Sequence, residues 1–192
     1  MLTPAVFLDR DGTINYDPGY IKEPEKVIIM EGVSEGIRKL KGQFGFKIIV
    51  VSNQAGVSKG LMTLEDVEAV NKKIYNILIE EGAEIDAFYY CPFHPENDPP
   101  EKTICRKPSP YMILKAAKEL SIDLSKSFMI GDRSSDIESG INAGIKTILL
   151  KNDMFKDEIS ILINQGKKPN FVADNFNEAC DYIYKSFPEE NN

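Results

Sequence analysis

Two carboxylates near the start of the chain have the spacing of a catalytic pair. Asp9 and Asp11 follow a short apolar run, and Gly12 and Thr13 come directly after them. Two carboxylates this close repel each other unless a cation or a proton lies between them. Gly12 lets the chain turn sharply, and the amides that follow Asp9 can face an anion. This arrangement suits the transfer of a phosphoryl group to a carboxylate.

In such a reaction the two side chains would have different roles. We predict that Asp9 attacks phosphorus in line and forms an aspartyl-phosphate. Asp11 would first protonate the leaving oxygen and later take a proton from the attacking water. A magnesium ion would neutralise charge so that two anions can meet. An isolated Asp-x-Asp-Gly would be better explained as a turn, but this one follows an apolar run typical of a buried strand.

The elements that must position this pair are predicted from recurring apolar runs. Runs of four to six mostly apolar residues without strict alternation are typical of strands buried on both faces of a parallel sheet. The predicted strands cover residues 5–8, 47–51, 85–90, 127–130, 146–150 and, as the weakest, 170–173.

Helices are predicted between these strands. One begins after Thr63, a good N-cap, and carries an apolar stripe at helical spacing. A second begins at Pro110 and ends near Leu120. A third begins at Ser134 or Ser135 and stops at Gly144.

The alternation of strands and helices predicts the fold class. We expect one α/β domain spanning residues 1–192, with a doubly wound, mainly parallel sheet and helices on both faces. A chain of 192 residues is long enough for one sizeable core and too short for two ordinary domains. Ligands of such folds bind beyond the carboxyl ends of the strands, where Asp9 and Asp11 lie.

Three further polar residues fall at or near predicted strand ends. Ser52 ends the second strand, Lys107 lies in the loop after the third, and Asp132 follows the fourth. Taken singly, these residues would be explained as a turn cap, a surface charge and a helix cap. Asp136 is assigned a structural role, because it lies in the first turn of the predicted third helix, where the helix dipole favours an acid.

Together with Asp9 and Asp11, these residues resemble the four ordered motifs of the haloacid dehalogenase-like phosphatases. The resemblance implies that Ser52 holds a phosphoryl oxygen. It implies that Lys107 grips the phosphoryl group and screens the nucleophile. It also implies a Mg²⁺ cofactor whose ligands are Asp9, Asp11 and Asp132.

The segments 7–20, 52–57 and 105–108 resemble, more narrowly, the subgroup of this family that contains heptose-bisphosphate and histidinol-phosphate phosphatases and has no large cap domain. The resemblance implies a small phosphorylated substrate, contacted by Arg10, Asp17, Gly19, Tyr20, Asn53, Gln54, Arg106 and Arg133. Tyr20 could equally be a half-buried aromatic and Arg133 a surface charge. The two arginines at 106 and 133 favour a sugar bisphosphate, because histidinol phosphate carries cationic groups of its own.

A loop with potential metal ligands departs from the same subgroup. Its members carry a Cys-x-His and a Cys-x-Cys pair that bind zinc, whereas here Phe93 and Thr103 stand at two of those positions. Cys91 and Cys105 remain in place, and His94 is shifted by one residue. A closed zinc site needs four ligands, so we expect no zinc here and predict that Phe93 packs in its place. Three cysteines in all also make a disulfide framework unexpected.

Composition limits the partners. The net charge of −7 argues against a nucleic-acid partner, and no apolar run approaches the ~20 residues of a membrane span. The N-terminus lacks the features of an export signal. We expect a cytoplasmic monomer that binds a phosphorylated sugar and neither nucleic acid nor membrane.

Three other classes of protein share part of this pattern. A response-regulator receiver is also doubly wound and phosphorylated on Asp, but its acidic pair precedes that Asp by a whole strand-helix-strand unit. A phosphate-binding pseudoenzyme would lack a chemical residue, and none is missing here. A nucleic-acid 3′-phosphatase would need a basic stripe that this acidic chain lacks.

Overall fold

A six-stranded parallel sheet forms the centre of the computed structural model, which describes residues 2–152, 154 and 157–187. Its order is β3-β2-β1-β4-β5-β6, and each neighbouring pair is parallel. The strands are β1 (Ala5–Leu8), β2 (Lys47–Asn53), β3 (Ala87–Cys91), β4 (Phe128–Gly131), β5 (Lys146–Leu150) and β6 (Phe171–Ala173). All six predicted strands are present: β1 and β5 have the predicted bounds, and the ends of the other four are shifted by at most two residues.

The helices connect the strands and lie over the sheet. They are α1 (Val33–Phe44), α2 (Leu64–Glu80), α3 (Pro100–Thr103), α4 (Tyr111–Leu120), α5 (Ser134–Asn142), α6 (Glu158–Asn164) and α7 (Phe176–Ser186). Thr63 caps α2 as predicted: its hydroxyl accepts from the Asp66 amide, and the Asp66 carboxylate accepts from the Thr63 amide. Gly144 follows α5 with φ +75°, a conformation in which glycine is not strained.

Alternate residues of each strand pack on opposite faces of the sheet. Val6 and Leu8 join the core that contains the apolar stripes of α1, α2 and α7. Ala5 and Phe7 join a second core with α4 on the other face. α5 and α6 pack on this second face, beside β5. The sheet is therefore covered on both faces, which confirms the predicted doubly wound fold.

The register of β1 determines where the site forms. Leu8 pairs with Val50 of β2 and with Ile130 of β4, so the three carboxyl ends lie side by side. The Asp9 amide donates to the Ile130 carbonyl at 3.0 Å and continues this alignment by one residue. The order of strands also reverses at β1: β2 and β3 lie on one side of it, and β4, β5 and β6 lie on the other. A crevice forms at such a switch point.

The connections that border this crevice contain little regular secondary structure. In the described chain, the segment between β1 and α1 contains one 3₁₀ turn, Pro24–Lys26, and two isolated β-bridges, Asp11 with Asn15 and Asn15 with Ile29. The segment between β3 and α4 contains only the four-residue α3. The predicted lack of a large cap domain is thus confirmed. Across the described residues, none of the helices combines the length and apolar character that crossing a bilayer requires.

Candidate active site

Three buried carboxylates converge at the carboxyl end of the sheet. One oxygen of each of Asp9, Asp132 and Asp136 lies within 4.8 Å of the others, the one such group of three or more potential metal ligands in the described residues. Asp136 does cap α5 as predicted, since its Oδ2 accepts from the Arg133 amide at 3.0 Å. Its place among the three carboxylates corrects the purely structural assignment. The position of Asp136 in a helix turn does not reveal this second contact, because one carboxylate has two oxygens and each can have its own partner.

The electrostatics of this group suit a bound cation. Burial, and then the neighbouring charge of Asp136, raise the pKa of Asp9 well above its ordinary value. The same two causes raise the pKa of Asp132 to about 7. Asp132 Oδ1 is buried and accepts no hydrogen bond from the described residues. Hard divalent cations such as Mg²⁺ prefer carboxylate oxygens, so the donor set fits the predicted metal.

Gly12 makes room for this group. A Cβ atom at position 12 would lie 2.3 Å from Asp132 Oδ2, a distance that no side chain can adopt, and the backbone φ is +82°. Glycine is therefore required here both by the conformation and by the close approach of Asp132.

Lys107 crosses from its loop to the nucleophile. Its Nζ donates to Asp9 Oδ1 at 2.7 Å and to the Val51 carbonyl at 2.7 Å, and it lies 2.6 Å from Asp136 Oδ1. Burial alone would lower the pKa of this amine, but Asp136 and Asp9 raise it above its ordinary value. The side chain is therefore a buried cation beside Asp9, as the sequence predicted.

Asn53 holds the backbone of Lys107 in place. Its Oδ1 accepts from the Lys107 amide at 3.0 Å, and its Nδ2 donates to the Lys107 carbonyl at 3.1 Å. The sequence analysis predicted that Asn53 bonds substrate. In the structure both ends of its amide bond the backbone of a residue 54 positions away, so Asn53 positions Lys107. Asn53 also lines the cavity, and its contact with substrate stays a prediction.

The Asp11 carboxylate lies outside the three-carboxylate group, so the role of Asp11 as a metal ligand stays a prediction. Arg10 Nε and Nη2 donate to its carboxylate at 2.9–3.2 Å, and Asn15 Nδ2 and Gln54 Nε2 donate at 2.9 Å each. Burial would raise the pKa of Asp11, but the Arg10 charge and these hydrogen bonds lower it below its ordinary value. Asp11 is held as a carboxylate.

Arg10 is buried beside Asp11 and lies away from the cavity. Its side chain is 1% exposed and is not among the residues that line the cavity, which does not support the predicted contact with substrate. Its guanidinium binds Asp11 and, through Nη1, Asn71 Oδ1 at 2.9 Å. A buried charge needs a partner, and the adjacent carboxylate supplies it.

Two polar residues that support the site were missed. Asn71 lies on the buried face of α2, and a polar residue between Val70 and Ile74 in an apolar stripe was the available signal. Asn152, just after β5, donates to Asp132 Oδ2 at 2.8 Å. Its position after a strand end was the only hint in the sequence.

Gln54 links two predicted catalytic residues. Its Nε2 donates to Ser52 Oγ at 2.7 Å as well as to Asp11 Oδ2 at 2.9 Å. Gln54 and Ser52 are both buried and both line the cavity, so a ligand can still reach them. The structure thus brings together Asp9, Asp11, Ser52, Lys107 and Asp132 at one point.

Comparisons with known proteins agree with this constellation. Residues 104–179 match the Hydrolase-like family model, described as HAD-hydrolase-like. The chain is 41% identical over 189 residues to D-glycero-beta-D-manno-heptose-1,7-bisphosphate 7-phosphatase of Photorhabdus laumondii, which covers 97% of this chain and 92% of that relative. The enzyme of the same name from Escherichia coli K12 is 34% identical over 189 residues, which are 97% of this chain and 91% of the relative.

A solved structure shows the same likeness. The D,D-heptose 1,7-bisphosphate phosphatase of B. bronchiseptica, complexed with magnesium and phosphate, matches with a TM-score of 0.80 at 25% identity, over 96% of this chain and all of that one. The chain belongs to the haloacid dehalogenase-like phosphatases. The predicted family is confirmed, and the receiver interpretation is set aside. The protein is a phosphomonoester hydrolase.

The phosphatase has a cavity of about 510 Å³ above the carboxylate group. Its walls include most of the predicted substrate residues: Asp17, Gly19, Tyr20, Asn53, Gln54, Arg106 and Arg133. Asp17 Oδ1 accepts from the Gly19 amide at 2.8 Å, which shapes the loop that carries Tyr20. Ser134, Met154 and Glu158 also line the cavity and had not been predicted.

The loop that was expected to have lost zinc contains a disulfide. Cys91 and Cys105 are bonded, with Cα atoms 5.5 Å apart, which corrects the expectation of no disulfide. Counting cysteines could not show that the end of β3 and the loop before Lys107 meet in space. His94 Nδ1 accepts from the Glu96 amide at 3.3 Å, and His94 does not join a three-ligand group in the described residues. Cys180 is buried and free.

Phe93 packs, half-buried, against the core on the α4 face, with Lys102 Nζ 5.6 Å from its ring centre. We expect Phe93→Ala to destabilise the phosphatase by less than the ~3–5 kcal/mol typical of a fully buried phenylalanine. Thermal unfolding would measure this, with Phe93→Leu as the control that keeps apolar volume.

Elemental analysis of the purified protein should show well under one zinc per chain. Stoichiometric zinc would contradict the prediction that the metal has been replaced.

Proposed function

We propose that this phosphatase removes the 7-phosphate of D-glycero-D-manno-heptose 1,7-bisphosphate. One observation carries the proposal: Lys107 contacts Asp9, a member of the three-carboxylate group, at the floor of the cavity. The relatives that share 34–41% of its residues over nearly the whole chain are named for that reaction.

Asp9 is the proposed nucleophile. One of its oxygens is bound by Lys107, and the carboxylate lies at the floor of the cavity, where it can reach phosphorus in line. Lys107 and the Ser52 hydroxyl would hold the phosphoryl oxygens and offset their charge as the P–O bond to the sugar breaks. Asp9 then carries the phosphoryl group as an acyl phosphate.

Asp9, Asp132 and Asp136 would hold Mg²⁺. When bound, the ion offsets the negative charge of the carboxylates and of the phosphoryl group, which lets two anions meet. Asn152 would orient Asp132, since it donates to the carboxylate oxygen opposite the one without a partner. The carboxylate of Asp11 would not bind the ion.

Asp11 is the proposed acid–base residue. The Arg10 charge and the hydrogen bonds to Asp11 lower its pKa, which favours the carboxylate, the state needed to take a proton from the water that hydrolyses the acyl phosphate. To protonate the leaving oxygen first, Asp11 must gain a proton. The arrival of a phosphate dianion would favour that, because a nearby negative charge raises a carboxyl pKa. Arg10 and Gln54 would keep the group oriented in both half-reactions.

We expect Asp11→Asn to lose most activity toward the sugar phosphate, by about 10²–10⁴-fold in kcat, because the alkoxide leaving group needs a proton. The loss should be smaller with 4-nitrophenyl phosphate, whose phenolate leaves without one. Steady-state kinetics with both substrates measures the difference. An equal loss with both would contradict the role of Asp11 as general acid.

The cavity walls favour a sugar bisphosphate over histidinol phosphate. Arg106 and Arg133 add positive charge near the cavity, which suits a second phosphate and repels the amine and imidazole of histidinol phosphate. Asp17 and Glu158 lie on the Arg133 side and could bind sugar hydroxyls. Histidinol phosphate therefore remains the second candidate substrate and is less favoured.

The decisive experiment is phosphate release from a panel of substrates. It should contain both anomers of heptose 1,7-bisphosphate, fructose 1,6-bisphosphate and histidinol phosphate. We expect the highest kcat/KM with a heptose bisphosphate. A higher kcat/KM with histidinol phosphate would overturn the proposed substrate while leaving the phosphatase chemistry intact.

A further inference from the structure

Arg10 has the largest of the fully buried side chains in the described part of the chain. Its guanidinium has almost no contact with water, so its N–H groups need acceptors within the protein. Nε and Nη2 donate to the Asp11 carboxylate, and Nη1 donates to Asn71 Oδ1 at 2.9 Å. Because the guanidinium is planar and rigid, an acceptor that fixes one end also fixes the direction of the other. Asn71 therefore sets the angle at which Arg10 meets Asp11.

Asn71 is a polar residue on a helix face that packs in the core. It is buried in α2, whose neighbouring Val70 and Ile74 join the core beneath the sheet. Burying a side-chain amide costs free energy unless the amide makes hydrogen bonds, and asparagine is a poorer helix former than leucine. Neither packing nor helix formation favours asparagine here. What Asn71 contributes is its hydrogen bond to Arg10, which ties Arg10 to a helix of 17 residues.

The Asp11 carboxylate is held on both of its oxygens. Asn15 Nδ2 donates to Oδ1 and Gln54 Nε2 donates to Oδ2, while Arg10 binds both. Gln54 lines the cavity and Arg10 does not, so Arg10 can hold the carboxylate without occupying space that a substrate needs. Proton transfer requires an oxygen of the acid within about 2.6–3.2 Å of the leaving oxygen, so a small rotation of the carboxylate slows the step.

We infer that Asn71 is a positioning residue, which acts through Arg10 to orient the Asp11 carboxylate for proton transfer. This rests on the proposed acid–base role of Asp11. Neither Asn71 nor Arg10 is among the residues that line the cavity, so their loss should leave the binding of substrate nearly unchanged. Loss of Asn71 should therefore reproduce the effect of losing Asp11 in a weaker form. The turnover rate should fall most where the leaving group needs a proton.

The test compares two leaving groups in Asn71→Leu, which keeps the branched shape and removes the acceptor. With the sugar phosphate that the enzyme hydrolyses fastest, we expect kcat to fall about tenfold. With 4-nitrophenyl phosphate the fall should be less than about threefold, and both KM values should stay within about twofold. Arg10→Lys should show the same difference, because one ammonium cannot span Asp11 and Asn71 as the fork does. Leu78→Ala loses core packing two turns further along α2 and should show no difference between leaving groups.

A double-mutant cycle separates positioning from a general role in folding. If Asn71 acts through Asp11, adding Asn71→Leu to Asp11→Asn should change the residual kcat by less than about twofold. A further tenfold loss in the double variant would overturn the inference. So would an Asn71→Leu enzyme with no loss, or with equal losses for both leaving groups. If Asp11→Asn itself lost activity equally with both, the proposed acid–base role would fail, and the positioning role with it.

Discussion

Asp9→Asn is expected to lower kcat by about 10⁴-fold or more, to the background of the assay. Asparagine has nearly the same shape, but its amide is a poor nucleophile and cannot form the acyl phosphate. The variant should fold, because Lys107 keeps the Val51 carbonyl and Asp136 as partners. Steady-state kinetics with heptose bisphosphate and with 4-nitrophenyl phosphate would measure the loss.

The variant also allows a direct test for the covalent intermediate. Wild-type enzyme quenched in acid during turnover should carry a phosphate adduct on the peptide that contains Asp9, and the variant should not. Asp181→Asn, on the exposed side of α7, removes the same charge far from the cavity and should keep full activity. Appreciable activity of Asp9→Asn in a preparation that has not deamidated would show that another group attacks phosphorus.

The strand ends are the part of this site that the sequence predicted well. A buried parallel strand needs a continuous apolar run, so Ala5–Leu8 and Phe128–Gly131 stand out from their surroundings. The polar residue that follows such a run must lie at the edge of the sheet. Asp9, Ser52 and Asp132 could therefore be placed together before any contact was known.

The partners of each side chain could not be predicted in the same way. Whether Asn53 faces a ligand or the Lys107 backbone depends on how a loop 54 residues away folds back, and no local pattern encodes that. The same holds for Arg10, which a family motif places near substrate but which the structure buries against Asp11 and Asn71. The disulfide of Cys91 is a third case, since it depends on the same loop.

Metal dependence separates direct ligands from the residues that orient them. Activity should vanish in excess chelator and return with Mg²⁺. Loss of an outer-shell partner costs about 10–100-fold in metal affinity, so we expect Asn152→Ala to raise the half-saturating Mg²⁺ concentration by that factor. Asp132→Ala removes a proposed ligand and should raise it further. Full activity in excess chelator would contradict the whole mechanism.

The pH dependence of stability tests the same carboxylates without turnover. The pKa of Asp132 is raised to about 7 in the folded protein, against about 3.9 in an unfolded chain. The folded state therefore holds this proton more tightly. The resulting stabilisation is full below about pH 4, declines as the pH rises, and is lost by about pH 7.

Metal-free protein should consequently melt about 5 °C lower at pH 7.5 than at pH 5.5, a shift that corresponds to roughly 1–2 kcal/mol in a chain of this size. Mg²⁺ competes with the proton for the same oxygens, so its stabilising effect should be larger at pH 7.5 than at pH 5.5. Asp132→Asn cannot ionise and should reduce both differences. A metal-free melting temperature that rises between pH 5.5 and 7.5, in wild type and variant alike, would show that these carboxylates are not forced together as the structure has them.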